Sequence, residues 1–174
     1  MARGATSVSS PAPDRFAVDI LVEDARWDGV PDAPVLAERA AQAALAACGD
    51  GFERAAEMSV TLTDDARIRV LNRQWREKDK ATNVLSFPAA EVPEDVTPEP
   101  LGDVIVALET VLAEAQAEDK HPQDHLVHLV VHGTLHLLGF DHEDDADAEE
   151  MEEMERGILK GLGISDPYAL PAET

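Results

Sequence analysis

The stretch from His132 to His142, with the sequence HGTLHLLGFDH, constrains this chain more than any other segment. Its three histidines stand at relative positions 0, +4 and +10, with Gly139 at +7. Residues four apart share one face of a helix, so His132 and His136 can bind the same ion. Glycine readily adopts the left-handed conformation that ends a helix, so the chain can reverse at Gly139 and return His142 to that ion. The pattern therefore predicts a helix, a sharp turn and a three-histidine metal site.

Zinc is the metal that best suits three imidazoles in this arrangement. Three neutral nitrogens at roughly 2.0–2.1 Å leave a fourth tetrahedral position for water, which is typical of catalytic rather than structural zinc. The single cysteine, Cys48, excludes an internal disulfide and a cysteine zinc cluster. We expect one Zn²⁺ per chain, bound by His132, His136 and His142.

Other polar residues near the motif are candidates for supporting roles. His128 lies one turn before His132 on the same face, where it either packs or supports a ligand from behind. Asp141 is a candidate outer partner that orients an imidazole. His121 and His125 are predicted to face solvent.

The offsets and the glycine also match the metzincin protease motif, H-E-x-x-H-x-x-G-x-x-H. The glutamate that serves peptide hydrolysis as general base is replaced here by Gly133. A metalloprotease or another zinc hydrolase remains an alternative, which Gly133 opposes. A third hypothesis is a non-catalytic assembly factor in which zinc only stabilises the fold. The open fourth coordination position argues against it, because structural zinc sites usually have four protein ligands.

The rest of the sequence alternates between strand and helix patterns. Strands are predicted at residues 16–22, 58–62, 84–87 and 103–108, and helices at 35–48, 63–75, 109–118, 123–138 and 144–161, with Thr63 as the N-cap of the second helix. Prolines between Pro88 and Pro100 predict a flexible loop. The alternation predicts one small α/β or α+β domain over residues 15–170, with a mixed, mostly parallel four-stranded sheet, covering helices and a metzincin-like zinc helix.

Charge is distributed very unevenly along the chain. The 14 basic residues are outnumbered by 36 acidic ones, for a net charge of −22, which disfavours indiscriminate binding of nucleic acid. Six of the basic residues nevertheless fall within residues 67–80, beside only two acidic ones. This basic segment is either a docking point for a phosphate chain or an ordinary solvated helix face. Its candidate substrate-binding residues are Arg73, Arg76, Lys78 and Lys80.

The helix predicted at residues 63–75 divides into two faces. Ile68, Leu71 and Trp75 recur at helical spacing and are expected to face the core. Arg69, Arg73 and Arg76 share another face. The acidic stretch at residues 144–155 is predicted to be a solvated helix face, with a surface for basic ribosomal proteins as the alternative.

The termini and the hydropathy pattern bear on location. Residues 1–14 are rich in Ala, Ser and Pro, without the apolar stretch of a signal peptide, and are predicted to be a disordered leader. No apolar run approaches the length of a membrane span. We therefore expect a cytoplasmic protein that does not bind membranes.

At the level of whole motifs, the chain resembles the YbeY family of ribosomal RNA maturation factors. Residues 132–142 match that family's histidine signature, and residues 71–88, LNRQWREKDKATNVLSFP, match its second characteristic block. Residues 101–106 and 150–168 also fit, so the resemblance covers roughly residues 16–168. Asn83 departs from the aspartate that many members carry at that position.

The resemblance implies a single-strand-specific, metal-dependent endoribonuclease that acts in 3′-end maturation of 16S ribosomal RNA and in ribosome quality control. It implies catalytic roles for Arg76 and His132, and as partners single-stranded ribosomal RNA and the ribosome or small-subunit ribosomal proteins. DNA is not an expected substrate. The sequence alone identifies neither the general base nor the attacking nucleophile.

Overall fold

The computed structural model describes residues 15–48, 55–93, 95–141 and 143–167. Within these ranges it contains, in chain order, β1 (Phe16–Val22), a 3₁₀ helix (Ala25–Gly29), α1 (Ala33–Ala47), β2 (Ala56–Thr63), α2 (Asp65–Arg76), β3 (Val84–Pro88), β4 (Glu99–Ala107), α3 (Leu108–Ala117), α4 (Pro122–Leu137) and α5 (Asp145–Gly161). The predicted leader, residues 1–14, lies outside the described residues.

The four strands form one mixed sheet in the order β1-β2-β4-β3. The pairs β1–β2 and β2–β4 are parallel, and β3 runs antiparallel to β4. The predicted small α+β domain with a mostly parallel four-stranded sheet is confirmed. The described helices include none long and apolar enough to cross a membrane.

One face of the sheet carries the main core. Helices α1 and α4 pack together on this face and α5 packs against α4, burying residues such as Val60, Val104 and Leu135 completely. The alanines of α1 permit a close helix–helix approach, and five of them are fully buried: Ala33, Ala37, Ala40, Ala41 and Ala44. The burial of α4 on most sides fixes where its polar residues can emerge.

The opposite face of the sheet is only partly covered. Helix α2 lies over β3 and β4, where Ile68 packs with Leu85 and Ile105. The same face carries Leu21 of β1, which is 52% exposed. A groove therefore remains between α2 and the uncovered part of the sheet.

The structure corrects the predicted orientation of α2. Ile68 is fully buried and Leu71 half-buried, but Trp75, expected in the core, is 68% exposed. Helical periodicity alone could not reveal that the last turn of α2 borders an open groove over the sheet. Trp75 instead stands at the side of the groove.

Predicted boundaries also shift, notably at the starts of α2 and β4. Thr63 is the last residue of β2, and the N-cap of α2 is Asp64, whose carboxylate accepts a hydrogen bond from the backbone amide of Arg67. Strand β4 begins at Glu99 and so takes in Pro100, which was assigned to the loop. Proline is tolerated there because β3 pairs with β4 only from Gly102 onward, which leaves one edge of β4 without a partner strand at residue 100.

Candidate metal centre and adjoining cleft

His132 and His136 project from the same face of α4 into a surface cavity of about 530 Å³. Their Nε2 atoms lie 3.1 Å apart. Two nitrogens bound tetrahedrally to one zinc at the usual bond lengths stand roughly 3.3 Å apart. The convergence expected from the i, i+4 spacing is therefore present, at a separation that suits a shared ion.

The Nδ1 atoms of both rings are held by oxygen acceptors. His136 Nδ1 lies 3.0 Å from the backbone carbonyl oxygen of Phe140, which can only accept, so this nitrogen carries a proton. His132 Nδ1 lies 2.9 Å from Oε2 of Glu155 and donates to it. With both Nδ1 atoms donating, both Nε2 atoms can offer lone pairs to one cation placed between them. On this donor chemistry the two side chains fit a metal.

The side chain of Glu155 lies behind the two histidines and contacts His132. It is fully buried on α5, and its Oε1 lies 2.8 Å from Nε2 of His128. One carboxylate thus bridges His128 and His132. The acidic stretch at residues 144–155 was predicted to be a solvated face, and for Glu155 this was wrong.

The predicted exposure of His125 was also wrong. His125 is 4% exposed, and its Nε2 lies 2.8 Å from Oε1 of Glu114 on α3. The same carboxylate oxygen accepts from the side-chain amide of Asn83 at 3.0 Å. The Asn83 amide therefore shares this acceptor oxygen with His125. His121 is exposed, at the N-cap of α4.

The turn after α4 follows the prediction from the sequence. Leu138 caps the helix, Gly139 adopts φ +100°, and the amide of Phe140 donates to the carbonyl of Leu135. A residue with a β-carbon would be strained at this φ. The reversal also brings the Phe140 carbonyl to His136.

The third predicted ligand, His142, lies outside the described residues. Among the residues that are described, no group of three His, Cys, Asp or Glu side chains that could hold a metal is found. Asp141, predicted to orient an imidazole, lines the cavity. The oxygen partners resolved at the two Nδ1 atoms belong to Glu155 and Phe140.

Arg76 enters the same cavity from the end of α2. Its Nη2 donates a 2.7 Å hydrogen bond to the backbone carbonyl of Ser86, and its guanidinium lies 5.7 Å from the ring centroid of Phe87. These two contacts hold a permanent positive charge at the rim while leaving other N–H groups of the guanidinium for a ligand. Arg76 is the basic residue that the structure brings together with the histidines.

The other predicted substrate-binding residues lie further along the same segment. Arg73, Lys78 and Lys80 are exposed, and the lining of the histidine cavity includes Arg76 but none of these three. Nearby Arg69 is ion-paired with Asp79 at 2.8 Å. The surrounding basic residues can attract a phosphate chain at longer range, but only Arg76 reaches the cleft.

Gly133 is required by packing between α4 and the sheet. A β-carbon at this position would stand 2.8 Å from Cγ1 of Val104 and 3.1 Å from Oγ of Ser86. The Ser86 hydroxyl also donates a 2.9 Å hydrogen bond to the Gly133 carbonyl. A side chain at residue 133 would therefore run into β3 and β4, so a catalytic glutamate cannot be accommodated here as it is in the metzincin motif.

Sequence reasoning missed Glu155, Ser86 and the Phe140 carbonyl. A signal for Glu155 was present, because it lies four residues after Met151 and three before Ile158, on the apolar face of α5. A carboxylate at such a position must find buried partners. The Ser86 and Phe140 contacts depend on tertiary packing and leave no comparable pattern.

Comparisons with known proteins show the family to which this chain belongs. The sequence model of the family described as endoribonuclease YbeY matches residues 32–163. A protein of Azorhizobium caulinodans named endoribonuclease YbeY is 72% identical over 156 residues, covering 90% of this chain and 98% of the relative. A protein of the same name from Bradyrhizobium diazoefficiens is 48% identical over 161 residues, covering 90% and 87%. The solution structure of a Thermotoga maritima protein superposes with a TM-score of 0.51 at 26% identity, covering 88% of this chain and 99% of that one. The chain belongs to the endoribonuclease YbeY family.

Proposed function

We propose that this protein is a zinc-dependent endoribonuclease specific for single-stranded RNA. The observation that carries the proposal is the placement of Arg76 in the cavity into which the Nε2 atoms of His132 and His136 converge. A fixed positive charge beside a metal site is what a phosphodiester requires. The names of the two relatives support RNA as the substrate.

His132, His136 and His142 would hold one zinc ion. His142 enters on the spacing of the motif, and the turn at Gly139, which brings the Phe140 carbonyl to His136, supports its inclusion. Glu155 and the Phe140 carbonyl fix the ring orientations of the two helical ligands. In zinc sites such outer partners keep the correct imidazole nitrogen available and raise its basicity.

The chain's own groups then bind and orient the substrate. Arg76 grips a non-bridging oxygen of the scissile phosphate, and its charge stabilises the additional negative charge that develops in the transition state. The hydrogen bond to the Ser86 carbonyl holds the guanidinium in place before substrate arrives. A bound zinc ion supplies Lewis acidity toward the phosphoryl group and the attacking oxygen.

The cellular role that we propose follows the family resemblance. The enzyme would mature the 3′ end of 16S ribosomal RNA and act in ribosome quality control in the cytoplasm, in contact with the ribosome or small-subunit ribosomal proteins. Its net charge of −22 opposes binding to arbitrary polyanions, so recognition must rest on local features of the cleft and on protein contacts. The exposed acidic residues of α5, which do not include the buried Glu155, are candidates for these contacts with basic ribosomal proteins.

Two alternatives make different predictions. A metalloprotease needs a carboxylate beside the metal to transfer a proton to the leaving amine, and the packing around Gly133 leaves no room for it. A non-catalytic assembly factor would bind zinc but cleave neither RNA nor protein.

The deciding experiment incubates zinc-loaded protein with end-labelled single-stranded RNA, the same sequence as a duplex, and casein. We expect chelator-sensitive cleavage of the single strand, weak action on the duplex and no proteolysis. Arg76→Ala should retain zinc and its melting temperature but lose most cleavage. Arg76→Lys should recover little, because lysine cannot reproduce the planar donor fork.

Arg73→Ala is the matched control, since Arg73 is an exposed arginine of the same helix outside the cavity lining. It should reduce cleavage far less than Arg76→Ala, and mainly at low salt. If casein is digested while single-stranded RNA stays intact, the protein is a metalloprotease. If both RNA and casein stay intact although the protein is fully loaded with zinc, the non-catalytic assembly factor is the hypothesis that remains.

A further inference from the structure

A second cavity, of about 610 Å³, lies beside the histidine cleft. We call it the sheet groove; it runs between α2 and the uncovered faces of β1, β2 and β4, and it is lined by residues such as Leu21, Thr61 and Trp75. Arg76, Ser86 and Pro88 line both cavities. The sheet groove therefore adjoins the proposed cleavage site at these three residues.

One wall of the sheet groove is aromatic and exposed. Trp75 is 68% exposed, and its ring stands 6.4 Å from that of Phe87 at an interplanar angle of 66°. The Arg76 guanidinium lies over Phe87, so a fixed cation adjoins the pair. A large aromatic side chain left in solvent at a groove wall is a typical feature of a binding surface.

Polar side chains also line the sheet groove, beside apolar ones such as Leu21 and Ile105. Ser59 donates to the Asp103 carboxylate on the floor, and Thr61 lies alongside. Arg67 and Arg76 supply positive charge from α2, against the negative charges of Glu23 and Asp103. A uniformly anionic ligand gains little from such a balance. A ligand with a flat apolar face, hydrogen-bonding edges and an anionic link on one side satisfies all of these groups.

We propose that the sheet groove binds an unpaired nucleobase of the RNA strand next to the scissile phosphate. The base stacks on Trp75, its polar edge faces Ser59, Thr61 and Asp103, and the backbone passes the Arg76 rim into the histidine cleft. This assignment rests on the proposed ribonuclease function and gives a physical origin for its single-strand specificity. In a duplex the base edges are paired and the bases stacked, so none is free to enter.

The test uses the two tryptophans of the full-length chain. Trp27 is 1% exposed and shielded from acrylamide, so acrylamide quenching of fluorescence reports Trp75. We expect a single-stranded oligoadenylate, added with chelator to prevent cleavage, to protect Trp75 from the quencher. An abasic ribose-phosphate oligomer of equal length should not protect it.

Affinity provides the second readout. Trp75→Ala should weaken oligoadenylate binding roughly 5- to 150-fold, the range found for loss of one base–aromatic stack. Trp75→Phe should restore much of it, and Leu112→Ala, which changes another exposed apolar residue on α3, should have no effect. Because Trp75 is exposed, its substitution should leave the melting temperature unchanged.

Two results of the quenching experiment would overturn the base-binding assignment. One is oligoadenylate binding that leaves the quenching of Trp75 unchanged, as expected if the groove instead accommodates a protein segment. The other is equal protection by the abasic oligomer. The assays also separate this proposal from the proposed function. RNA cleavage that is unaffected by Trp75→Ala would contradict the base site but not the nuclease. Base-dependent protection of Trp75 without any RNA cleavage would contradict the nuclease but not the base site.

Discussion

Replacement of Glu155 by glutamine tests the support behind the metal centre. The carboxylate is fully buried and accepts from His132 at 2.9 Å and from His128 at 2.8 Å. Glutamine preserves the volume but offers one acceptor oxygen, and its NH₂ group must face one of the two rings. If that ring is His132, the tautomer that presents Nε2 to the metal is lost.

The size of the effect follows from the hydrogen bonds involved. A bond to a charged group contributes about 1.5–3 kcal/mol and one between neutral groups about 0.5–1.5 kcal/mol. The difference, roughly 1–1.5 kcal/mol, corresponds to about tenfold in affinity. We therefore expect Glu155→Gln to weaken zinc binding about tenfold, at the lower end of the 10- to 100-fold range for outer partners of metal ligands.

The assay is competition for zinc with a chromophoric chelator, combined with thermal unfolding in EDTA. Glu149→Gln is the matched control, because Glu149 is an exposed carboxylate of the same helix. It should leave zinc affinity unchanged. Zinc binding by Glu155→Gln as tight as that of the wild type, or an equal loss of affinity in the two variants, would refute this role of Glu155.

Two further substitutions test contacts that position the site. Gly133→Ala should destabilise the fold by about 1–3 kcal/mol through overpacking against Val104, an effect that improved helix propensity reduces by up to about 1 kcal/mol. Gly157→Ala, in open space on α5, should instead stabilise the fold by about 0.5–1 kcal/mol. Equal melting temperatures for the two variants would contradict the packing of Gly133 against Val104. Asn83→Asp should lower the free energy of unfolding, measured by denaturant titration at neutral pH, by about 1–2 kcal/mol, because it replaces a hydrogen bond to Glu114 with two facing carboxylates. Adding Glu114→Gln should recover most of this loss. A double variant no more stable than Asn83→Asp alone would contradict this coupling.

The elements that sequence patterns predicted well are those with strong periodicity or punctuation. The i, i+4 histidines and the glycine of the motif define a helix end that is independent of what surrounds it, so α4 and its turn were predicted correctly. The four-stranded, mostly parallel sheet followed from the alternation of strand and helix patterns. Both inferences use only local chemistry.

The errors concern how far one element covers another. Trp75 fits an apolar helical face but lines the open sheet groove, where it is 68% exposed. Glu155 and His125 were assigned to solvent on residue type, whereas each is buried beside a partner distant in the sequence. Single residue types indicate average burial, but pairs such as these form only when two helices pack.

Zinc content of the purified protein is the most direct test of the proposed metal centre. We expect about one zinc per wild-type chain, and close to none for His136→Ala, which removes one of the two converging Nε2 ligands. Thermal unfolding should show that the variant still folds. One zinc per chain in folded His136→Ala would contradict the account, because the metal would then be bound without the residue around which the site is built.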